Sequence, residues 1–164
     1  WGLQENGYRV GYAENAFLFT NVPETYGHFF RQRKRWSRGL MEAFKYHSGM
    51  LSKFRMSTLF FWINVSFPYI DAIYLFVFLP GLIAAIFFKF YAVVGLMTLL
   101  LLPLALLINW LIYFKQVAIF RENGLKVRHN LLGFTAYLLG YQAIMSPACV
   151  MGYLSELLHA RKSW

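Results

Sequence analysis

The sequence predicts a predominantly α-helical, polytopic membrane protein that begins with the end of a soluble α/β unit. Three observations predict it. Hydrophobic residues make up 59% of the 164-residue chain and charged residues only 14%, with a mean hydropathy of +0.45, which leaves too little polar surface for a soluble domain of this length. Residues 1–56 hold nine of the sixteen Lys and Arg side chains, whereas residues 57–114 hold Lys89 alone. The first third is therefore aqueous or interfacial and the middle lies in lipid. The apolar stretches are also long enough to cross a hydrocarbon core of about 30 Å at about 1.5 Å per residue.

Residues 1–22 read as the end of the α/β unit. A short helix tail from Trp1 to Glu5 stops at Asn6-Gly7, a turn signal, and extended segments follow at 8–12 and 16–20. Residues 23–64 read as interfacial helices. Pro23 with Glu24 beside it signals a helix start. From there to about His47, Phe29, Trp36, Leu40 and Phe44 recur at helical spacing among Arg31, Arg33, Lys34, Arg38 and Lys45. Such a basic, aromatic, amphipathic helix suits the anionic headgroup layer of the cytoplasmic leaflet. A second short interfacial piece is expected over 50–64, with Lys53 and Arg55 at the water side.

Residues 65–158 form the transmembrane region. Two spans are expected at 66–88, where Asp71 is the only charge, and at 90–114, which has none; Lys89 caps the hairpin between them. Segment 115–130 carries Lys115, Arg121, Lys126 and Arg128 against Glu122, which makes it a cytoplasmic loop by the positive-inside rule. A last apolar run over 131–157 is interrupted by Gly140, Pro147 and Gly152. It either crosses once or forms a re-entrant pair that returns the basic tail, 159–164, to the cytoplasm, and the charge of Arg161 and Lys162 favours the second. Asp71 lies near one end of its span, so its side chain is expected to snorkel to the interface. The many aromatic residues of the spans fit either the lining of a channel or interfacial belts and lipid-facing packing.

Some chemistry is excluded. Cys149 is the only cysteine, so neither an intrachain disulfide nor a thiolate metal cluster is expected. Residues 1–7 lack the basic and apolar regions of a signal peptide and an initiator Met, and the chain is expected to start within a longer protein. No nucleic-acid partner is expected.

The chemically informative segment is Gln32-Arg33-Lys34-Arg35-Trp36. On a helix Gln32, Arg35 and Trp36 fall at i, i+3 and i+4 and project from one side. From helix composition alone, lipid binding by the arginines and interfacial anchoring by Trp36 is the stronger reading. The ordered neighbours reverse it: Gly7-Tyr8-Arg9-Val10, Val22-Pro23-Glu24-Thr25, the pentad with Gly39 three residues on, then Ser146-Pro147, Gly152-Tyr153, Glu156-Leu157-Leu158 and the end at Arg161, Lys162 and Trp164. With this set the chain resembles the membrane-integrated processive family 2 glycosyltransferases, the synthases of cellulose, chitin, hyaluronan and poly-N-acetylglucosamine.

The resemblance implies that residues 1–22 end a cytosolic GT-A catalytic domain. It implies a C-terminal acceptor-binding and membrane-channel part of an exopolysaccharide-type synthase, which polymerises and translocates a β-linked polysaccharide from a nucleotide-diphosphate sugar. Trp36 would stack on the acceptor sugar, Arg35 would face the diphosphate and Gln32 would orient hydroxyls. Mg²⁺ or Mn²⁺ would serve the full-length enzyme, held by an Asp-x-Asp that this chain, with Asp71 as its single Asp, does not carry. The general base is expected upstream of Trp1, so the chain alone would be inactive, with no catalytic and no metal-binding residue of its own. Anionic lipid is an expected partner, an accessory subunit is left open, and the expected location is the cell membrane, multi-pass, with the pentad helix on the cytoplasmic face. Two other readings stay open: a non-processive lipid glycosyltransferase, and a non-enzymatic membrane channel or scaffold module.

Overall fold

A computed structural model describes residues 1–11, 13, 16, 18, 20–53, 58–126 and 130–161. Among them the fold is helical throughout: α1 (Gly2–Glu5), α2 (Tyr26–Tyr46), a 3₁₀ turn (Ser48–Ser52), α3 (Leu59–Ile73), a π-helical turn (Tyr74–Phe78), α4 (Leu79–Phe88), α5 (Leu96–Glu122) and α6 (Leu131–Leu157). By its contacts the chain divides into two compact units, one formed by Trp1–Ile73 with Met145–Trp164, the other by Tyr74–Ile144.

In the first unit, four-residue α1 is too short to persist alone and is held by side chains. Trp1 stacks on Phe44 at 5.4 Å and meets the edge of Phe61 at 4.7 Å, while Glu5 Oε2 lies 2.6 Å from His47 Nδ1. Phe61 and Met50 are fully enclosed there. The helix ends where Asn6 Nδ2 donates to the Gly2 carbonyl and Gly7 takes φ +84°, a conformation open to glycine. No strand follows: residues 8–11, 13, 16, 18 and 20 are irregular, and Tyr12, Phe17 and Phe19 lie outside the described residues. An extended segment needs a neighbouring strand for its ladder, and none is present among the described residues.

Helix α2 starts later than Pro23 suggests. Thr25 is the N-cap, its Oγ1 accepting from the His28 N–H at 3.3 Å, the role to which a short hydroxyl side chain is suited. The expected interfacial piece at 50–64 is instead the 3₁₀ turn and the first part of α3; Arg55 lies outside the described residues. Asn64 and Ser66 do not interrupt α3 because their side chains donate back to the Phe60 and Ile63 carbonyls at 2.6 Å.

The crossing of α2 with the second half of α6 organises this unit. A Cβ placed on Gly152 would fall 2.5 Å from the Lys34 carbonyl oxygen and directly onto the Ser37 hydroxyl. Gly152 is thus what lets the two backbones approach. On the same half of α6, Ser146, Ala148, Cys149, Val150, Tyr153, Ser155 and Glu156 are buried.

Long apolar helices follow, from α3 at the end of the first unit's N-terminal stretch and through the second unit. Leu59–Phe88, which runs without a break through the π turn, and Leu100–Glu122 are both long and apolar enough to cross a membrane. Only 11% and 6% of their apolar windows is buried by protein, unlike core helices of soluble proteins, so the uncovered surface suits lipid. The π turn lies just ahead of Pro80, whose ring cannot fit a regular α-helical ladder. Lys89, at φ +53°, is the left-handed C-cap of α4, and the following bend packs Val93 against Gly81, leaving no room for a Cβ there. Helix α5 runs beyond the expected boundary at 114. It stops at Asn123, whose Nδ2 caps the Ile119 carbonyl at 2.8 Å, and Gly124 at φ +72°. Asn130 Oδ1 accepts from the Gly133 N–H at 2.8 Å and opens α6, which is one continuous helix rather than a re-entrant pair. Gln142, Ser146, Pro147, Ser155 and Glu156 dilute its apolar character, which sets it apart from the two helices apolar enough to cross a membrane.

Gly152→Ala is expected to cost about 1–3 kcal/mol through overpacking. Gly140→Ala, where nothing lies within 4 Å of the added carbon, is expected to be neutral or to stabilise by up to about 1 kcal/mol through helix propensity. Thermal unfolding in detergent, followed by circular dichroism, separates the two.

Candidate functional site

Helix α2 carries two different faces along the pentad. One borders an open cavity of about 730 Å³, lined by the Asn21–Glu24 segment, by His28, Arg31, Gln32, Lys34, Arg35, Arg38, Gly39 and Glu42, and by Arg161 from beyond the end of α6. Arg31, Lys34, Arg35, Arg38 and Arg161 face only Glu24 and Glu42 as acids, so the cavity is net positive and suited to an anion. Gln32 adds amide donors and an acceptor for hydroxyl groups.

The other face carries Trp36. Consecutive helical residues project about 100° apart, so Arg35 and Trp36 diverge. Gln32 and Arg35 come together in the cavity, whereas Trp36 is not among its lining residues and is 53% exposed. The Arg33 guanidinium lies over its ring, 4.5 Å from the centroid, and over Phe29 at 5.2 Å.

Arg38 joins this helix to the end of α6. Its Nε donates to Glu156 Oε2 at 2.9 Å, its Nη1 to the Arg161 carbonyl at 3.5 Å and its Nη2 to the Ala160 carbonyl. Lys45 Nζ donates to Glu156 Oε1 at 2.9 Å. The chain leaves α6 through His159 at φ +52°, and Arg161 reaches the cavity. Lys45 and Arg38 together hold the Glu156 carboxyl well below its ordinary value of 4.5, at about 2.

Asp71 corrects an expectation. Rather than snorkelling, it is 4% exposed and accepts from Ser146 Oγ at 3.0 Å and Tyr153 Oη at 2.9 Å. Two donors seven residues apart on one face of α6 satisfy the carboxyl, which is what makes its burial tolerable. Cys149, between them on that helix, is buried as well.

These residues do not fit a divalent cation. Asp71 is engaged by Ser146 and Tyr153, Glu156 by Arg38 and Lys45, and among the described residues no three carboxyl, imidazole or thiol groups converge. His28, one turn before Gln32, lines the same cavity. Arg33, Arg38, Gly152 and Glu156 acquire their roles from contacts that single residues do not announce. The nearest signal is two cations, Arg38 and Lys45, two turns apart on α2, with Glu156 the only acid in the last apolar run.

Compared with known proteins, the chain matches the family model described as Glycosyl transferase family group 2 over residues 1–155. Neither the curated proteins nor the solved structures give a match.

Because the folded-state value of Glu156 is depressed, its clamp stabilises the fold fully above the ordinary carboxyl value and loses that contribution as pH falls toward 2. Wild-type protein is therefore expected to lose stability between about pH 4.5 and 2 more steeply than Glu156→Gln. Parallel melting curves for the two proteins over that range would contradict the clamp.

Proposed function

From the chain's membership of glycosyl transferase family group 2, we propose that it is the acceptor-binding and membrane part of a processive synthase in the cell membrane. The full-length enzyme would transfer sugar from a nucleotide-diphosphate donor to a growing β-linked polysaccharide and pass the polymer through the bilayer. The observation that carries this reading is the net-positive cavity that places Gln32 and Arg35 on one face of α2, a short distance in sequence before the first apolar helix.

Arg35 has the chemistry for the diphosphate. Its guanidinium stays charged, is planar, and is already in position as negative charge develops on the leaving group. Gln32, one turn away, orients hydroxyls. Trp36 offers an exposed indole face on which the C–H groups of an acceptor pyranose stack. The cationic α2 lies at the cytoplasmic leaflet, where anionic lipid holds it.

Mg²⁺ or Mn²⁺ would neutralise diphosphate charge in the full-length enzyme. In this reading its ligands and the general base would come from a nucleotide-sugar domain, since the described residues do not fit that ion.

In the full-length protein, Arg35→Ala is expected to lower kcat by at least about 10²-fold, and Trp36→Ala to abolish polymer synthesis. Both should insert into membranes normally. Wild-type polymer yield from either variant contradicts the assignment, and a single-sugar lipid as the only product favours the non-processive reading.

A further inference from the structure

Phe29, Arg33 and Trp36 occupy successive turns of one flank of α2. The Arg33 guanidinium lies between the two rings, 5.2 Å from Phe29 and 4.5 Å from Trp36. Tyr26 continues the row, stacked on Phe29 at 6.4 Å. The guanidinium is thus placed by the aromatic row of α2, against the rings of Phe29 and Trp36.

This arrangement treats the two faces of Trp36 unequally. A planar cation covers one face of the indole, while the side chain as a whole remains 53% exposed. An uncovered indole on a helix surface samples several rotamers and offers either face. With one face taken by the guanidinium, a favourable cation–π contact, a single orientation dominates and the opposite face is the one left open.

We propose that Arg33 is a positioning residue for Trp36: it covers one indole face, fixes the ring, and leaves the other face as a preformed platform for one pyranose of the acceptor. The proposal rests on the reading of Trp36 as the acceptor platform. Preorganisation of this kind lowers the cost of binding without adding a contact to the ligand. Arg33 therefore governs acceptor affinity and not the chemical step, whereas Arg35, its neighbour two residues on, governs the chemical step.

Two measurements test this. In the full-length enzyme, Arg33→Met, which keeps chain length and apolar packing, is expected to raise the KM for an acceptor oligosaccharide about tenfold with kcat and donor KM near wild type. Arg33→Lys, a cation without the plane, should give a smaller rise. In the 164-residue chain with Trp36 as its sole tryptophan, held in lipid nanodiscs, Arg33→Met should increase acrylamide quenching of the indole, by up to about twofold given its 53% exposure, by uncovering its second face. Unchanged quenching or an unchanged acceptor KM in Arg33→Met overturns the proposal. An unchanged acceptor KM in Trp36→Ala overturns instead the acceptor-stacking reading on which it rests.

Discussion

The close approach of α2 and α6 at Ser37 and Gly152 is the constraint on which the rest of the first unit depends. A helix rich in arginine has no reason of its own to lie against a largely apolar one. Here the missing side chain at Gly152 lets the Lys34 carbonyl and Ser37 hydroxyl come into contact distance, and polar bonds lock the crossing on both sides. Asp71 ties α3 to α6 through Ser146 and Tyr153, and Glu156 ties the end of α6 to Arg38 and Lys45. Except for the exposed Lys45, each partner is buried or half-buried, where such bonds count for more than at an open surface.

That crossing separates the two faces of the pentad. With Ser37 turned into α6, Arg35 and Gln32 turn to the cavity, and Arg33 is held beside Trp36 on the other flank. The same crossing lets Arg38 reach the chain after α6 and bring Arg161 to the cavity. A basic cavity and an exposed aromatic side chain thus lie on adjacent sides of one helix.

Much of this was legible from residue patterns, for reasons that differ by element. The helical spacing of Phe29, Trp36, Leu40 and Phe44 announces α2, and Asn6-Gly7 ends α1 as its turn chemistry implies. The same dipeptide at Asn123-Gly124 ends α5, yet the change from apolar to basic residues at Lys115 reads as an earlier boundary. Charge marks where a helix leaves lipid, not where its hydrogen bonds stop. Asp71 looks like a snorkelling acid because its partners lie more than seventy residues away and are contributed by α6. The divergence of Trp36 from Arg35 follows from helix geometry alone, but the cover that Arg33 provides depends on side-chain placement that spacing does not specify.

The most direct test of the α2–α6 crossing uses the fact that Cys149 is the chain's only cysteine. Cys149 is buried on α6 one turn before Gly152, where Ser37 meets that helix, so Ser37→Cys creates a single possible intrachain pair across the crossing. In membranes treated with a mild oxidant, the crossing predicts loss of both free thiols on quantitative alkylation after denaturation, with Gly39→Cys, on the cavity side of α2, retaining both. Free thiols in Ser37→Cys equal to those in Gly39→Cys would contradict it.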